Sequence, residues 1–532
     1  MSELNASQRE ELHRAIWAIA DELRGSVDGW DFKNYVLGTM FYRYLSERLT
    51  TLVDKGEHEN GDLSFSYANL SDKKAQIGKK DTVNTAGFFI LPSQLFCNVC
   101  NLKDENLNEI LEKVFKDIEE SSTENKYAEN CFKGLFADFD VDSNRLGDKI
   151  QKRNERLGRL LRGVRDMKLG SVKENSIDTF GDAYEFLMSM YASSAGKSGG
   201  EFYTPQEVSE LLTRLGTVGK TSVSTVYDPA CGSGSLLLKI KKILGNNDCN
   251  VTFYGQEINI TTCNLCRINM ILHGIGFDKI KIECDDTLIN PKHKEDLEKN
   301  RGFELIVSNP PYSIKWVGDS NPLLINDERY SPAGVLAPKS KADMAFIMHS
   351  LYFLADNGVA AIVCFPGIMY RGGAEQKIRF YLIKENFIDA IIQLPDNLFY
   401  GTSIATCIMV MKKNKTDNNV LFIDASKECV KVTNNNKLSQ ENITNIVKYF
   451  SDRKNVEHVC CLVSSNEIAN KDYNLSVSTY VEPEDTKEKV DITALNTEIK
   501  EIVYRVNTLR NEIDKIITEI ETEDSNSGVI EE

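Results

Sequence analysis

Two short runs in this 532-residue chain carry residue types at spacings that suit chemistry. The first is Val226-Tyr227-Asp228-Pro229-Ala230-Cys231-Gly232-Ser233-Gly234-Ser235, where an apolar, strand-like run passes into a helical pattern. Glycines admit a ligand close to the backbone, and the first amides of a helix have no intrahelical partner. A Gly-x-Gly turn alone serves many folds. Here Glu257 follows at the tip of the next apolar run, in Tyr254-Gly255-Gln256-Glu257. A carboxylate at the second strand tip is the usual partner of two ribose hydroxyls, so the ligand reads as a nucleoside. The Asp228-Pro229 pair and the residue before Gly232 speak against a dinucleotide, whose pyrophosphate is seated on Gly-x-x-Gly. An acidic residue in the loop suits a cationic ligand instead.

The second run is Ile306-Val307-Ser308-Asn309-Pro310-Pro311-Tyr312, again at a strand end. Two prolines fix the backbone, so the Asn309 side chain and the Pro310 carbonyl can face one point as acceptors. An exocyclic amine donating both hydrogens to them keeps its lone pair aimed outward, toward a methyl donor. Tyr312 can stack on a planar base. A Pro-Pro turn after a strand also serves as a plain loop stop, but the neighbouring nucleoside site favours chemistry.

Asp228 to Ser235 and Asn309-Pro310-Pro311-Tyr312 resemble the cofactor and catalytic motifs of amino-group DNA methyltransferases. Gly199-Gly200-Glu201-Phe202-Tyr203-Thr204-Pro205-Gln206 resembles the segment that, in that family, precedes the cofactor motif and covers the methionine end of S-adenosylmethionine. The order of the three resembles the adenine N6 group. With Cys284-Asp285-Asp286-Thr287-Leu288, Lys341-Ala342-Asp343-Met344-Ala345-Phe346 and Leu394-Pro395-Asp396-Asn397-Leu398-Phe399-Tyr400-Gly401-Thr402, the likeness runs from the amino-terminal helices to about residue 425. It is a likeness to the methylation subunit of type I restriction-modification systems.

The resemblance implies roles. Asn309, Pro310, Pro311 and Tyr312 are the catalytic residues. Glu201, Phe202, Tyr203, Thr204, Pro205, Gln206, Gly232, Ser233, Gly234, Ser235 and Glu257 line S-adenosyl-L-methionine, with Asp228 near its methionine amino group and Asp286 near its adenine. Asp285 stands where the family more often has glycine. No metal is implied. The partners implied are double-stranded DNA, from which the target adenine is flipped out, a separate specificity subunit, a second methylation subunit and a restriction subunit with translocase and nuclease action. Two other readings are a methyltransferase for another planar amine or amide, in protein glutamine or RNA, and a cofactor-binding scaffold without turnover.

The elements that position these residues are those of an α/β protein. Residues 1–170 read as a helical domain, with Leu12, Ile16, Trp17, Ile19, Leu23 and then Phe32, Tyr35, Val36, Met40, Phe41, Tyr44, Leu45 each covering one helix face. Residues 171–425 read as a Rossmann-like S-adenosylmethionine-dependent methyltransferase domain. Its strands are expected at 222–227, 251–255, 280–284, 304–308, 359–365, 388–394, 406–411 and 420–423, and helices at 235–244, 261–273, 342–356 and 374–385. The stretch Ser313 to Lys341, containing Lys315 and Trp316, is long for a connection and is a candidate for closing over DNA. Residues 426–490 are polar and Asn-rich, with no element assigned. Over 491–520 the run Ile492, Leu495, Ile499, Ile502, Val506, Leu509, Ile513, Ile516, Ile520 alternates steps of three and four, a coiled-coil seam that predicts a partner-docking helix. Residues 521–532 read as an acidic disordered tail.

Composition sets the remaining bounds. With 63 basic against 79 acidic residues the net charge is -16, awkward for a chain holding polyanionic DNA unaided. Binding then needs a local basic surface or a partner. Between Arg145 and Lys168 nine basic residues face three acidic ones, which reads equally as a solvated helix face or a DNA contact. No apolar run approaches the roughly 20 residues of a membrane span, and the first residues lack a signal peptide's pattern. A cytoplasmic location is expected. The 13 cysteines read as reduced thiols. The pairs Cys97/Cys100 and Cys263/Cys266 lack nearby histidines and read as buried small hydrophobes, not halves of a zinc site.

Overall fold

The computed structural model of the chain describes residues 14–16, 19, 29–167, 180, 181, 183–188, 204–244, 250–399, 403–432, 435–484 and 492–527. It divides into two units, Met1–Glu482 and Pro483–Glu532. The sheet strands of the first unit are β1 (Thr225–Asp228), β2 (Thr252–Glu257), β3 (Ile280–Cys284), β4 (Phe303–Ser308), β5 (Leu354–Cys364), β6 (Ile388–Gln393), β7 (Cys407–Lys412) and β8 (Asn419–Asp424). After them come a small hairpin, β9 (Val430–Val432) with β10 (Asn435–Lys437), and a last sheet strand, β11 (Cys460–Ser464).

Spatial order is β11-β8-β6-β7-β5-β4-β1-β2-β3. The pairs β1-β2, β2-β3, β1-β4, β4-β5 and β6-β8 are parallel, whereas β7 and β11 run against their neighbours. From β1 the chain builds outward to β3, then returns to lay β4 on the other side of β1. That reversal opens a crevice at the carboxyl ends of β1 and β4, the place where α/β sheets hold ligands. Register sets Val226 opposite Leu305 and Tyr227 opposite Ile306, so Asp228 and Ser308 finish close together at the crevice.

Alternate residues of each strand feed two cores, as the two-residue period requires. Val226, Leu305, Val307, Ala361 and Val410 join the core shared with the amino-terminal helices, while Tyr227, Ile306, Ile362 and Met409 join one packed against the Asp343–Phe353 helix. In the helical region Leu107–Ser121 buries Leu107, Leu111, Val114, Phe115 and Ile118, an amphipathic stripe. Tyr35, Val36, Met40, Phe41, Tyr44 and Leu45 of the Gly29–Glu59 helix are buried. Tyr44 donates to the Ile271 carbonyl at 2.9 Å and Asn264 to that of Gly134 at 2.8 Å, fastening this region onto the Ile260–Leu272 helix. That cover explains why this helix buries ten of its thirteen residues.

The eight expected strands are present with ends shifted by a few residues. One boundary is corrected: the helix expected to run to Asp356 stops at Phe353, and β5 begins at Leu354. The Asp356-Asn357-Gly358 turn triplet lies within that strand, beside a register irregularity opposite Phe303 and Leu305. The region 426–490 holds a helix, Gln440–Asp452, whose Ser439 and Asn442 form a capping box, and β11, which pairs with β8. Cys97 is also corrected, from buried to exposed: on the short Phe96–Val99 helix the inward positions are taken by Phe96 and Val99.

Within the Ile150–Asp166 helix the basic side chains find local acceptors. Arg153 donates to Gly147 and Asn144, Arg156 to the Leu146 carbonyl, and Arg159 pairs with Glu155. In the second unit a 36-residue helix, Ile492–Ser527, exposes the whole seam from Ile492 to Ile520. No helix among the described residues is long and apolar enough to cross a membrane.

Candidate active site

At the end of β1 the chain makes the turn that the glycines permit. Gly232 and Gly234 take φ of 52° and 77°, the left-handed region that disfavours a side chain. A Cβ on Gly234 would lie 2.6 Å from the Cys266 sulfur. The Cys231 amide donates to the Gln256 carbonyl at 3.1 Å, holding this turn against the end of β2. From there Glu257 braces the loop: Oε2 accepts the Gly232 amide at 3.1 Å and Oε1 the Asn259 amide at 2.9 Å. Each carboxylate oxygen keeps a lone pair, enough for two hydroxyl donors. Burial raises the pKa of Glu257, and those backbone N–H groups oppose the shift.

Asp228 is buried beneath the loop. Its Oδ1 accepts from the Ala230 amide at 3.0 Å and the Ser308 hydroxyl at 2.7 Å. Burial pushes its pKa up to about 7, against the pull of those two donors and helped by the charge of Glu257. Ser233 and Ser235 share a hydrogen bond at 3.0 Å.

After β3, Asp286 accepts the Leu288 amide on Oδ1 at 2.9 Å, leaving its second oxygen for a ligand donor. Asp285 is taken up by the loop itself, through Lys292 at 2.8 Å, Asn290 at 2.7 Å and the Asp286 amide at 2.8 Å. Gln256, fully buried, donates to the carbonyls of Asp285 and Asn290 and accepts from the Lys292 amide.

At the end of β4, Asn309 is held from two sides. Its Nδ2 donates to Thr204 Oγ1 at 3.2 Å, and its Oδ1 accepts from the Tyr312 hydroxyl. Burial lifts the Tyr312 pKa well above its usual value, so the phenol remains a donor. Phe399 meets the Tyr312 ring edge-on, 6.4 Å between centroids at 85°. Pro310 is buried and Pro311 half-buried. The loop turns at Ser313, φ 52°, whose amide donates to both oxygens of Asp343 at 3.2 and 3.1 Å.

Asn309, Thr204, Ser308 and Asp228 therefore form one linked group, and in the loop after Asp228 the Gly232 amide is held by Glu257 at the tip of β2. Thr204 and Pro205 lead into the Gln206–Thr217 helix. Gln206 Nε2 is buried with no hydrogen-bond partner among the described residues, an unmet donor suited to an anionic ligand group. Glu201, Phe202 and Tyr203 lie outside the described residues. Trp316 is buried against Tyr330 and donates to the Pro338 carbonyl, so it belongs to the loop's interior, while Lys315 is exposed.

Sequence reasoning assigned no role to Ser308, Gln256 or Asp343. Ser308 adjoins the Asn-Pro-Pro-Tyr motif and was a legible candidate. Asp343, thirty residues downstream of Ser313, was visible only as part of a motif.

The N-6 DNA Methylase family matches residues 175–489, and the HsdM N-terminal domain matches residues 12–164. The chain is 49% identical over 542 residues to the type I restriction enzyme MpnII methylase subunit of Mycoplasma pneumoniae, covering 99% of this chain and 100% of that one. It is 36% identical over 350 residues to the MjaVIII methylase subunit of Methanocaldococcus jannaschii, covering 64% and 58%. Its fold matches the crystal structure of the type I restriction-modification system methyltransferase subunit from Streptococcus thermophilus with a TM-score of 0.79 and 36% identity, over 89% of this chain and 100% of that one.

Proposed function

The chain belongs to the N-6 DNA methylases that form the methylase subunits of type I restriction enzymes, and from that premise we propose how its site methylates adenine N6 in DNA. The observation that carries the mechanism is the fixed Asn309, held between Thr204 and Tyr312 at the mouth of the β1/β4 crevice.

S-adenosylmethionine fits the residues on the crevice rim. Glu257 would take the ribose hydroxyls on its remaining lone pairs, Asp286 the adenine amine, Asp228 the methionine ammonium, and Gln206 Nε2 the methionine carboxylate. When bound, this cofactor supplies an electrophilic methyl on a sulfonium. The target adenine is flipped out of the duplex to reach the strand tips. Asn309 Oδ1 has a second lone pair beside the one used by Tyr312, and the Pro310 carbonyl is the other acceptor. Together they take the two amine hydrogens and stabilise the positive charge that grows on nitrogen as it attacks. No strong general base is needed. Tyr312 aligns Asn309 with its hydroxyl and offers its ring for stacking.

The partners follow from charge and from the second unit. A chain of net charge -16 is poorly suited to read DNA alone, and the exposed Ile492–Ile520 seam is an apolar stripe that calls for a facing helix. We assign that seam to a specificity subunit, with a second methylation subunit and a restriction subunit in the complete assembly. A cytoplasmic location fits DNA as the substrate. Mapping N6-methyladenine in DNA from cells carrying this gene with its neighbours tests the activity. Methylation of adenines at one recognition sequence is expected, and its absence would overturn the reading.

A further inference from the structure

The segment between Ser313 and Lys341 is latched to the cofactor side of the site by one buried guanidinium. Arg329 is 1% exposed, and each of its five N–H groups has an acceptor. Nε and Nη2 meet the two oxygens of Asp327 at 2.9 and 2.8 Å. Nη1 donates to the Thr287 carbonyl at 2.9 Å and lies 3.1 Å from His349 Nδ1, and Nη2 also donates to the Leu288 carbonyl at 2.9 Å. The adjacent Tyr330 hydroxyl donates to the same Leu288 carbonyl at 3.0 Å.

These carbonyls belong to the two residues that follow Asp286. The Leu288 amide is the donor that fixes Asp286 Oδ1, and the Thr287 hydroxyl donates to the Pro229 carbonyl at 2.7 Å, inside the glycine loop. His349 extends the latch to β1. An arginine can only donate, so Nδ1 accepts and the ring proton sits on Nε2, facing the Tyr227 hydroxyl at 2.9 Å. Burial and the charge of Arg329 hold this histidine neutral, consistent with that tautomer. Tyr227 is the residue before Asp228.

We propose that Arg329 is a positioning residue for the cofactor's adenine pocket: through the Thr287 and Leu288 carbonyls it sets Asp286, so the segment after the catalytic motif governs recognition of the adenine amine. This rests on the reading that Asp286 meets that amine. Lysine at 329 keeps the charge and cannot span the same acceptors, because the planar fork is what reaches Asp327, Thr287 and Leu288 together.

The test compares binding of S-adenosylhomocysteine and its inosine analogue, in which a carbonyl replaces the amine, to the full-length chain by calorimetry. The wild type should prefer the adenine ligand at least about tenfold, the worth of a hydrogen bond to a carboxylate. Arg329→Met and Arg329→Lys should bring that preference to within about twofold, with the inosine ligand bound as in wild type. Tyr330→Phe, which removes only the second donor to Leu288, should narrow it partway and serves if the arginine variants do not fold. A merely structural loss would weaken both ligands alike and leave their ratio standing, which contradicts the proposal. Asp286→Asn separates the two claims. If it keeps the preference, the placement of Asp286 is wrong; if it loses the preference while Arg329→Met and Tyr330→Phe keep it, only the role of Arg329 falls.

Discussion

The Ser308 hydroxyl donates to Asp228 Oδ1 across 2.7 Å, tying the residue before Asn309 to the strand tip that opens the glycine loop. Both are buried, so the two motifs are set in register by a polar contact shielded from water.

Asp228 should make cofactor binding dependent on pH. Its folded-state pKa, up to about 7 through burial, lies above the unfolded value. The stability it contributes is therefore complete below the unfolded pKa and lost as pH rises through about 7. A cationic methionine ammonium favours the carboxylate, so binding S-adenosylmethionine should expel a proton near about pH 6 and little near about pH 8. Calorimetry in buffers of differing ionisation enthalpy reads this directly. Asp228→Asn should abolish the release, and an unchanged release in that variant would place the proton elsewhere.

Asp343 should matter to turnover without touching the cofactor. It holds the Ser313 amide at a left-handed turn, a conformation that costs a non-glycine residue about 1 kcal/mol or more. Asp343→Ala frees the loop carrying Asn309, and methyl transfer should fall about tenfold with S-adenosylmethionine affinity unchanged. Asp343→Asn, which retains one acceptor oxygen, should lose less. Equal losses in affinity and rate would mean the substitution had damaged the whole domain.

For Tyr312, stacking alone would make Tyr312→Phe mild. The hydroxyl bond to Asn309 Oδ1 changes that expectation. Losing the alignment of the acceptor should cost Tyr312→Phe about tenfold in rate, and Tyr312→Ala about 100-fold because the stacking face goes too. Single-turnover methylation of a DNA target distinguishes the two, and a fully active Tyr312→Phe would return the residue to stacking only.

Much of this was legible in sequence, for identifiable reasons. The strands were readable because their apolar runs are bounded by turn residues, and the two motifs because each stands at the end of such a run and Glu257 and the neighbouring nucleoside site give them context. β11 was not, since Cys460-Cys461-Leu462-Val463 is a short run in a polar stretch and gains its role only by pairing with β8. Arg329 gave no signal at all. Two of its partners are backbone carbonyls more than forty residues upstream, which no side-chain pattern records. The segment that contains Trp316 reads in sequence as a candidate for closing over DNA, and only tertiary packing against Tyr330 reveals that this ring is an interior residue of the loop.

The carboxyl-terminal helix should be needed for assembly and not for cofactor. Its nine-residue seam, from Ile492 to Ile520, is at least 45% exposed at every position. Removing residues from Asp491 onward should leave S-adenosylmethionine affinity at wild-type level and abolish co-purification with a specificity subunit. A truncated chain that still assembled would assign the seam to something else.

The most direct measurement of the central claim is methyl transfer from labelled S-adenosylmethionine to a DNA target by the reconstituted complex carrying Asn309→Ala. Removing the acceptor for the amine hydrogens should lower the rate by about 100-fold or more while cofactor affinity stays near wild type. A fully active Asn309→Ala enzyme would contradict the mechanism.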